Sequence, residues 1–565
     1  FLTDQPEHWA ALENSGALAA LDYHIVRPAG ARLANSTGVD LTSEESIRAS
    51  LAGLDEKRFD TIVAVKSLEG RAKDALLVND TAGELLWLDL LFAVCRHSYE
   101  RIKSESIPVV AVCQSAYLDG QLDPYTGLVS GFLKSLAREL DGPVCRAVNT
   151  DETGFLKTLR QVEIELGHAG AETEVCYSAG ARSTLALAPV EQLAGDGSAR
   201  LGPDSVVVAT GGARGVTAVL SEELLGSFGC RVIALGRSDT SSLTDEVRQM
   251  DERQFQDYEP RFYRDALARG RGRKMVELKR EYQTLRAAHE VLQVTKRLQA
   301  VSDKYEYLSV DINDAGAVEE TVKSVYQKYG RVDLILHGAG VQISNALPKK
   351  SLGDFRKIVN TKLRGLAHLY RACRKYAQGR APDYHVLTSA FSYLGNDGQP
   401  DYGAANEAMS RLAASLNSPS AGSCWSALAW LGWAGIGMTR DPEFAALAAS
   451  RRLRGVTKEE GQRIFSELMS GTPTTPVNVL LADGEIEYYK VALLSEPFRA
   501  PATPAPSNER KDFHVIEREI SLESSPYLLN HLVEGVPTLP GALVIALFAE
   551  AAQQLRPSLK IVSFE

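Results

Sequence analysis

A chain of 565 residues, 44% hydrophobic, 24% charged and 7% aromatic, has the composition of ordinary globular protein, and at roughly 100–200 residues per domain it holds three or four domains. A single small module, a disordered chain, collagen and a coiled-coil rod are excluded. Its 62 Lys+Arg against 72 Asp+Glu leave a net charge of −10, so no basic field is available to hold a polyanion and nucleic acid is not an expected partner.

Seven cysteines, scattered from Cys95 to Cys424 without any C-x-x-C, read as reduced thiols of a cytoplasmic protein rather than as a disulfide or metal framework. No stretch approaches about 18 uninterrupted apolar residues and no basic run opens the chain, so neither a membrane span nor a signal peptide is expected. The first residue is Phe1 rather than Met, which reads as a segment of something longer.

Residues 1–200 alternate apolar runs (Tyr23–Arg27, Thr61–Val65, Val109–Val112, Ser183–Leu187) with helical periodicity at Glu84–Ser104, Gly127–Leu140 and Phe155–Leu166, the pattern of a parallel sheet flanked by helices. No glycine-rich turn follows any of these strands, so this half reads as a structural or docking unit. A second α/β unit spans 201–496. Its strands are expected at Val206–Ala209, Arg231–Leu235, Tyr307–Val310, Leu334–His337, His385–Leu387, Ser426–Leu431 and Val477–Leu481, in the order of a doubly wound nucleotide-binding sheet.

An insertion, 239–304, is dense in charge, and Leu278, Leu285 and Leu292 recur at seven with Tyr282, Ala288 and Thr295 between them. That is one apolar stripe on a long helix of a helical hairpin. The stripe packs within the domain, or the hairpin serves a homodimer or a neighbouring domain; no catalytic group is expected from it. Pro497, Pro501, Pro504 and Pro506 make 497–512 a stiff linker, and a third domain begins near Phe513.

Chemistry enters after the strand Val206–Ala209, at Thr210-Gly211-Gly212-Ala213-Arg214-Gly215-Val216-Thr217. A buried strand running into a glycine turn and then a helix sets free N–H groups and the positive helix end against a pyrophosphate, although a plain tight turn has the same residues. Arg237-Ser238 closes the next strand, where a carboxylate would read a ribose 2′-hydroxyl. A guanidinium there pairs with a 2′-phosphate and favours NADPH over NADH; the alternative is a solvated surface arginine, with Asp239 close by. Asp311, followed by Ile312, either accepts from an adenine amino group or caps the next helix. Gly338-Ala339-Gly340 removes side chains where backbone approaches a ligand, or forms an ordinary turn.

A second group is Ser389, Tyr402, Asn406 and Lys362. Ser389 closes a strand and Tyr402 opens a helix, so the loop between them can bring both hydroxyls to one carbonyl oxygen, with Asn406 one turn on along the same face. A tyrosine of pKa ≈ 10 is a poor acid at neutral pH unless an ammonium stabilises its phenolate, and Lys362 is available for that role. Singly, each is an ordinary structural residue; behind a cofactor turn they form a reducing site.

On these residues, 205–495 resembles the catalytic half of a ketoreductase domain of type I polyketide and fatty-acid synthases, within the short-chain dehydrogenase superfamily. Simple members carry Tyr-x-x-x-Lys; here Asn406 stands four after Tyr402 and the lysine is Lys362 in Thr-Lys-Leu-Arg-Gly, the exchange typical of the synthase domains. Trp430-Leu431-Gly432-Trp433 through Gly437-Met438 is similar to the tryptophan-rich loop placed over the nicotinamide. Residues 1–200, from His8-Trp9 to Leu185-Ala186-Leu187-Ala188-Pro189, look like the family's degenerate Rossmann-like structural subdomain. The resemblance implies reduction of a 3-oxoacyl thioester on an acyl carrier protein, among neighbouring synthase domains. Tyr402 would protonate the oxygen, Ser389 polarise it, and Lys362 with Asn406 sustain the proton path.

Thr217 departs from the family in replacing the last glycine of the turn, and Gln342-Ile343-Ser344 and Leu394 stand where stereochemical markers occur, leaving product stereochemistry open. The turn, the insertion and the Asp-Tyr-Gly-Ala-Ala-Asn-Glu-Ala helix start look closer to iterative synthases of the polyunsaturated fatty-acid or enediyne kind. His531-Leu-Val-Glu-Gly535 through Pro540-Gly541 resembles the start of a hot-dog dehydratase, 513–565, whose acidic partner lies outside this chain, so His531 is expected to be idle here. The competing readings are a free-standing NADP-dependent alcohol dehydrogenase and a non-catalytic scaffold that keeps the fold.

Overall fold

The computed structural model describes residues 1–494, apart from 6–8, 10–20, 31–32, 34, 196–199, 270–273, 419–421, 438–447, 449–450 and 452, together with 532–533 and 536–537. The chain divides into two compact units, Phe1–Ala500 and Pro501–Glu565. In the second, Leu532–Val533 pairs antiparallel with Val536–Pro537; His531 and the 497–512 linker lie outside the described residues.

Among the described residues the first unit holds a five-stranded and a seven-stranded sheet, beside two small strand pairs, one of them the hairpin of Tyr117–Leu118 with Gln121–Leu122. In the first half, β1 (Ile25–Pro28) runs parallel to β2 (Ser36–Val39), and Leu2 bridges β1 to β3 (Ile62–Ser67). From β3 the sheet continues through β4 (Val109–Gln114), β5 (Cys145–Thr150), β6 (Glu174–Ser178) and β7 (Ala181–Thr184). Two corrections follow. The sheet is not wholly parallel, because Ala179 and Gly180, both at positive φ, turn the chain so that β7 pairs antiparallel with β6. The expected helix Glu84–Ser104 is two, α1 (Thr81–His97) and a short helix Tyr99–Ser104, with Ser98 between them. α2 (Tyr125–Leu140) ends on Asp141 in the left-handed region.

The second half follows the expected order. β8 (Val206–Thr210), β9 (Arg231–Gly236), β10 (Tyr305–Ser309), β11 (Leu334–His337), β12 (Asp383–Ser389), β13 (Trp425–Trp430) and β14 (Val477–Val479) are all parallel and lie side by side as β10-β9-β8-β11-β12-β13-β14. The order reverses between β8 and β11, and in such sheets the crevice outside the carboxyl ends at that point is where ligands bind. α3 (Gly215–Gly226) follows β8.

The insertion folds as α4 (Glu252–Arg269) and α5 (Met275–Val301). Its stripe is covered inside the chain: Tyr282, Ala288, Leu285 and Leu292 pack with Leu243, Val247, Phe255, Tyr258 and Phe262, while Leu298 enters the core beside β8 and β9. The leucines are therefore not an open face awaiting a second copy, and the homodimer expectation loses the feature that motivated it. Leu285→Asp with Leu292→Asp is expected to destabilise the hairpin by roughly 0.5–3 kcal/mol per site. Faster amide exchange over 243–298 at unchanged mass in light scattering is the expected result; a lower mass would return the stripe to an intermolecular role.

Completing the second half, α6 (Leu352–Tyr376) and α7 (Pro400–Leu416) flank the sheet, and α8 (Lys458–Met469) is opened by a Thr457/Glu460 capping box. One core runs through both halves, with Phe92 of α1 and Phe132 of α2 meeting Phe355 of α6 at ring-centre distances of 4.5 and 6.1 Å.

Candidate active site

Beyond Thr210 the chain turns at Gly211 (φ +76°) and enters α3 at Gly215 (φ +55°), and Arg214 caps α3 through no side-chain bond. Three carbons that glycine lacks explain the shape. A Cβ at Gly212 would lie 2.6 Å from the Ala209 carbonyl oxygen and 2.7 Å from Ala234 Cβ, one at Gly338 2.1 Å from Thr217 Oγ1, and one at Gly340 3.0 Å from Lys362 Cε. Thr217, the residue out of pattern, thus fills the space that Gly338 leaves. A helix N-terminus reached through a turn at which Gly211, Gly212 and Gly215 carry no Cβ is a fit to a dinucleotide pyrophosphate. Ala213 is buried, and Val216 packs on the core around β8 and β13.

Around this turn the other expected residues differ in posture. Arg237 is exposed at the end of β9, and the Ser238 carbonyl accepts from Tyr307 Oη at 2.9 Å. Asp239 Oδ1 accepts the backbone N–H and the hydroxyl of Ser241. Asp311 Oδ1 accepts from the backbone and side-chain amide of Asn313, and the helix that follows is capped by Asp314 instead. Ile312 turns its side chain into the core against Gly365, and its carbonyl accepts from His368 Nδ1 at 2.9 Å. Arg214 donates from Nε and Nη2 to Glu290 Oε2 on α5, at 2.8 and 2.6 Å, so the insertion reaches the cofactor turn.

Ser389, Tyr402, Asn406 and Lys362 are brought together. Ser389 is the last residue of β12, and all but Tyr402 are buried at 5% exposure or less. Burial raises the Tyr402 phenol above its ordinary value, while hydrogen bonding with Ser389 and Asn406 works against the shift. Lys362 Nζ lies 5.5 Å from the centre of the Tyr402 ring and 3.4 Å from the Leu387 carbonyl it donates to. Burial alone lowers its pKa to about 8. Asn406 Nδ2 donates to the Tyr402 carbonyl at 2.7 Å, and Asn406 Oδ1 is buried with no hydrogen-bond partner among the described residues. A buried acceptor left open on the residue that holds the Tyr402 backbone is matched to a group that arrives with substrate or water.

Several residues that hold this site were not foreseen. His337 Nδ1 lies 2.9 Å from Thr210 Oγ1 and Nε2 3.0 Å from the Lys362 carbonyl, while Ala339 N–H donates to Thr210 Oγ1. Burial, helped by the Lys362 charge, lowers His337 to about 3. A neutral imidazole therefore joins the 210–216 turn to the lysine helix, accepting from the threonine hydroxyl and donating to the carbonyl. From the first half, Gly127 and Gly131 of α2 lie against the backbone of Gly403–Ala408 in α7; their four-residue spacing was the available signal. Across the same contact Lys134 pairs with Glu174 and Glu407 at 2.6 and 2.8 Å, and Arg411 pairs with both carboxylates. The tryptophan-rich loop brings Gly437 within van der Waals reach of Gly215, with the Trp430 and Trp433 rings 5.0 Å apart; Met438 lies outside the described residues.

Residues 205–435 match the family model of the KR domain. The chain carries a ketoreductase (KR) domain of the short-chain dehydrogenase superfamily. It is 27% identical over 366 residues to a component chain of the polyunsaturated fatty acid synthase of Thraustochytrium sp., covering 63% of this chain and 12% of that protein. Against polyketide synthase PksN of Bacillus subtilis it is 24% identical over 438 residues, covering 76% and 7%. The chain thus spans about an eighth or less of these relatives. Solved structures share its fold: an N-terminal ketoreductase from the macrolactin assembly line (TM-score 0.57, 17% identity, 85% of each chain) and an A1-type ketoreductase (TM-score 0.59, 18% identity, 88% of this chain and 92% of that one). Reductases of this family use NAD(P)H. No described helix of the chain is long and apolar enough to cross a membrane.

Proposed function

We propose that this KR domain reduces the 3-oxo group of an acyl thioester, carried on an acyl carrier protein within a larger synthase, to the 3-hydroxyacyl product with NADPH. The observation that carries the reading is the meeting of Ser389, Tyr402, Asn406 and Lys362 beside the glycine turns 211–215 and 338–340. The 210–216 turn and 338–340 would hold a nicotinamide dinucleotide, which would supply the hydride. Tyr402 Oη gives its proton to the carbonyl oxygen, and Ser389 Oγ donates a hydrogen bond to the same oxygen, drawing electron density from the carbon to be reduced. The Lys362 ammonium stabilises the phenolate left behind, and Asn406 Oδ1 anchors the path that returns a proton to it. Loss of NADPH absorbance on adding a 3-oxoacyl thioester tests the proposal, and a chain that consumes no NADPH overturns it.

The preference for NADPH is supported by an exposed guanidinium, Arg237, where a ribose-reading carboxylate would stand. Arg237→Ala is expected to weaken NADPH by roughly 10–100-fold, the loss of one charge-assisted bond worth about 1.5–3 kcal/mol, and to leave NADH nearly unchanged. Fluorescence titration with both cofactors measures it; equal losses would remove Arg237 from the site. The resemblance of 513–565 to a dehydratase start supports a neighbour that consumes the 3-hydroxyl formed here. The described cysteines are all free, in keeping with a reducing, cytoplasmic setting.

A further inference from the structure

Two segments meet beside the first turn of α7, which carries Tyr402: the one after β11 and the turn that opens α7. They are stitched together by Asn345 N–H to the Gly398 carbonyl at 3.2 Å and by Gln399 Nε2 to Ser344 Oγ at 2.8 Å. Beneath them lies a charge pair with no exposure at either side chain. Lys350 Nζ is 2.8 Å from Asp401 Oδ2 and donates to the Ile343 carbonyl at 2.6 Å, and Asp401 Oδ1 accepts the backbone N–H of Tyr402 at 2.8 Å. Both carboxylate oxygens are committed, one to the lysine that grips residue 343 and the other to the residue bearing the phenol.

A wholly buried ion pair is a poor source of stability, because removing two charges from water opposes their attraction, and apolar residues of equal volume do as well or better. What this pair supplies is direction. An ammonium with one carboxylate and one carbonyl partner fixes the spacing between loop 342–345 and the first turn of α7, which apolar packing would leave free to slip.

We propose that Lys350 and Asp401 are positioning residues for the reduction, holding the Tyr402 phenol in register with the 342–345 loop. The inference rests on the reading of Tyr402 as proton donor. Lys350→Met alone leaves a buried carboxylate without its cation and is a severe test of folding. Lys350→Met with Asp401→Asn removes both charges, and the amide oxygen still accepts from Tyr402 N–H. The full chain and both variants are compared for thermal midpoint, NADPH affinity, and kcat and KM on a short 3-oxoacyl thioester.

The double variant is expected to fold, to bind NADPH like the unsubstituted chain, and to lose roughly 10–100-fold in kcat as expected of a displacement near 1 Å. A folded double variant with unchanged kcat overturns the proposal. An unsubstituted chain that does not reduce the thioester overturns the parent reading and the inference with it.

Discussion

Tyr402→Phe is expected to bind NADPH as the unsubstituted chain does and to lose roughly 10²–10⁴-fold in kcat on a 3-oxoacyl thioester, the range set by removal of a positioned proton donor. The substitution deletes one oxygen and keeps the ring, so the packing of α7 and the cradle at 210–216 are untouched. Wild-type turnover in this variant would sink the assignment. The pH dependence is a second handle. Burial lowers Lys362 to about 8; in the proposed role it would stabilise the phenolate only while charged, so kcat is expected to be flat below pH 8 and to fall above it. Stability runs the other way. Between about pH 8 and the ordinary lysine value of 10.5 the unfolded chain holds a proton that the folded chain has released, so the penalty of burying Lys362 shrinks as pH rises through that window. Activity and the Lys362 contribution to stability should therefore diverge with pH, and Lys362→Met should abolish the divergence.

The second sheet is legible in the sequence because its strands are short apolar runs such as Val206–Thr210 and Leu334–His337, bounded by turn residues. β5 and β6 are not, because they bury polar side chains: Arg146 is held by Glu165, and Asn149 donates to Glu174. A strand whose interior is satisfied by distant partners carries no hydrophobic signature. The same limit governs the site. Ser389, Tyr402, Asn406 and Lys362 are recognisable by type and order, whereas the Lys350–Asp401 pair joins positions 51 residues apart with no local pattern to announce it. In the insertion the stripe of α5 is evident, but its cover comes from Phe255, Tyr258 and Phe262 on a helix that reads mainly as charged.

Gly131→Ala tests the contact by which the first half supports the second. In an open helix this change gains about 1 kcal/mol, because alanine is the better helix former. Here the new carbon would lie 2.3 Å from the Gly403 carbonyl oxygen and 2.8 Å from Ala404 N, and the reciprocal carbon at Gly403 would meet the Gly131 carbonyl oxygen at 2.6 Å. Backbone cannot rotate aside as a side chain would, so the helices must separate, at a cost of about 1–3 kcal/mol for overpacking. Stability is expected to fall on balance, and Gly131→Leu to prevent α2 and α7 from docking altogether. A control lies in the same half: Gly167 ends the helix Phe155–Gly167 with open space around it, so Gly167→Ala should be neutral or mildly stabilising. Because Gly403 directly follows Tyr402, the shift in Gly131→Ala reaches the proton donor, and kcat should drop while NADPH affinity holds. Thermal unfolding and single-turnover rates separate the two effects. An unchanged midpoint together with an unchanged rate would show that α7 is placed by its own sheet and that the first half does not set the position of Tyr402.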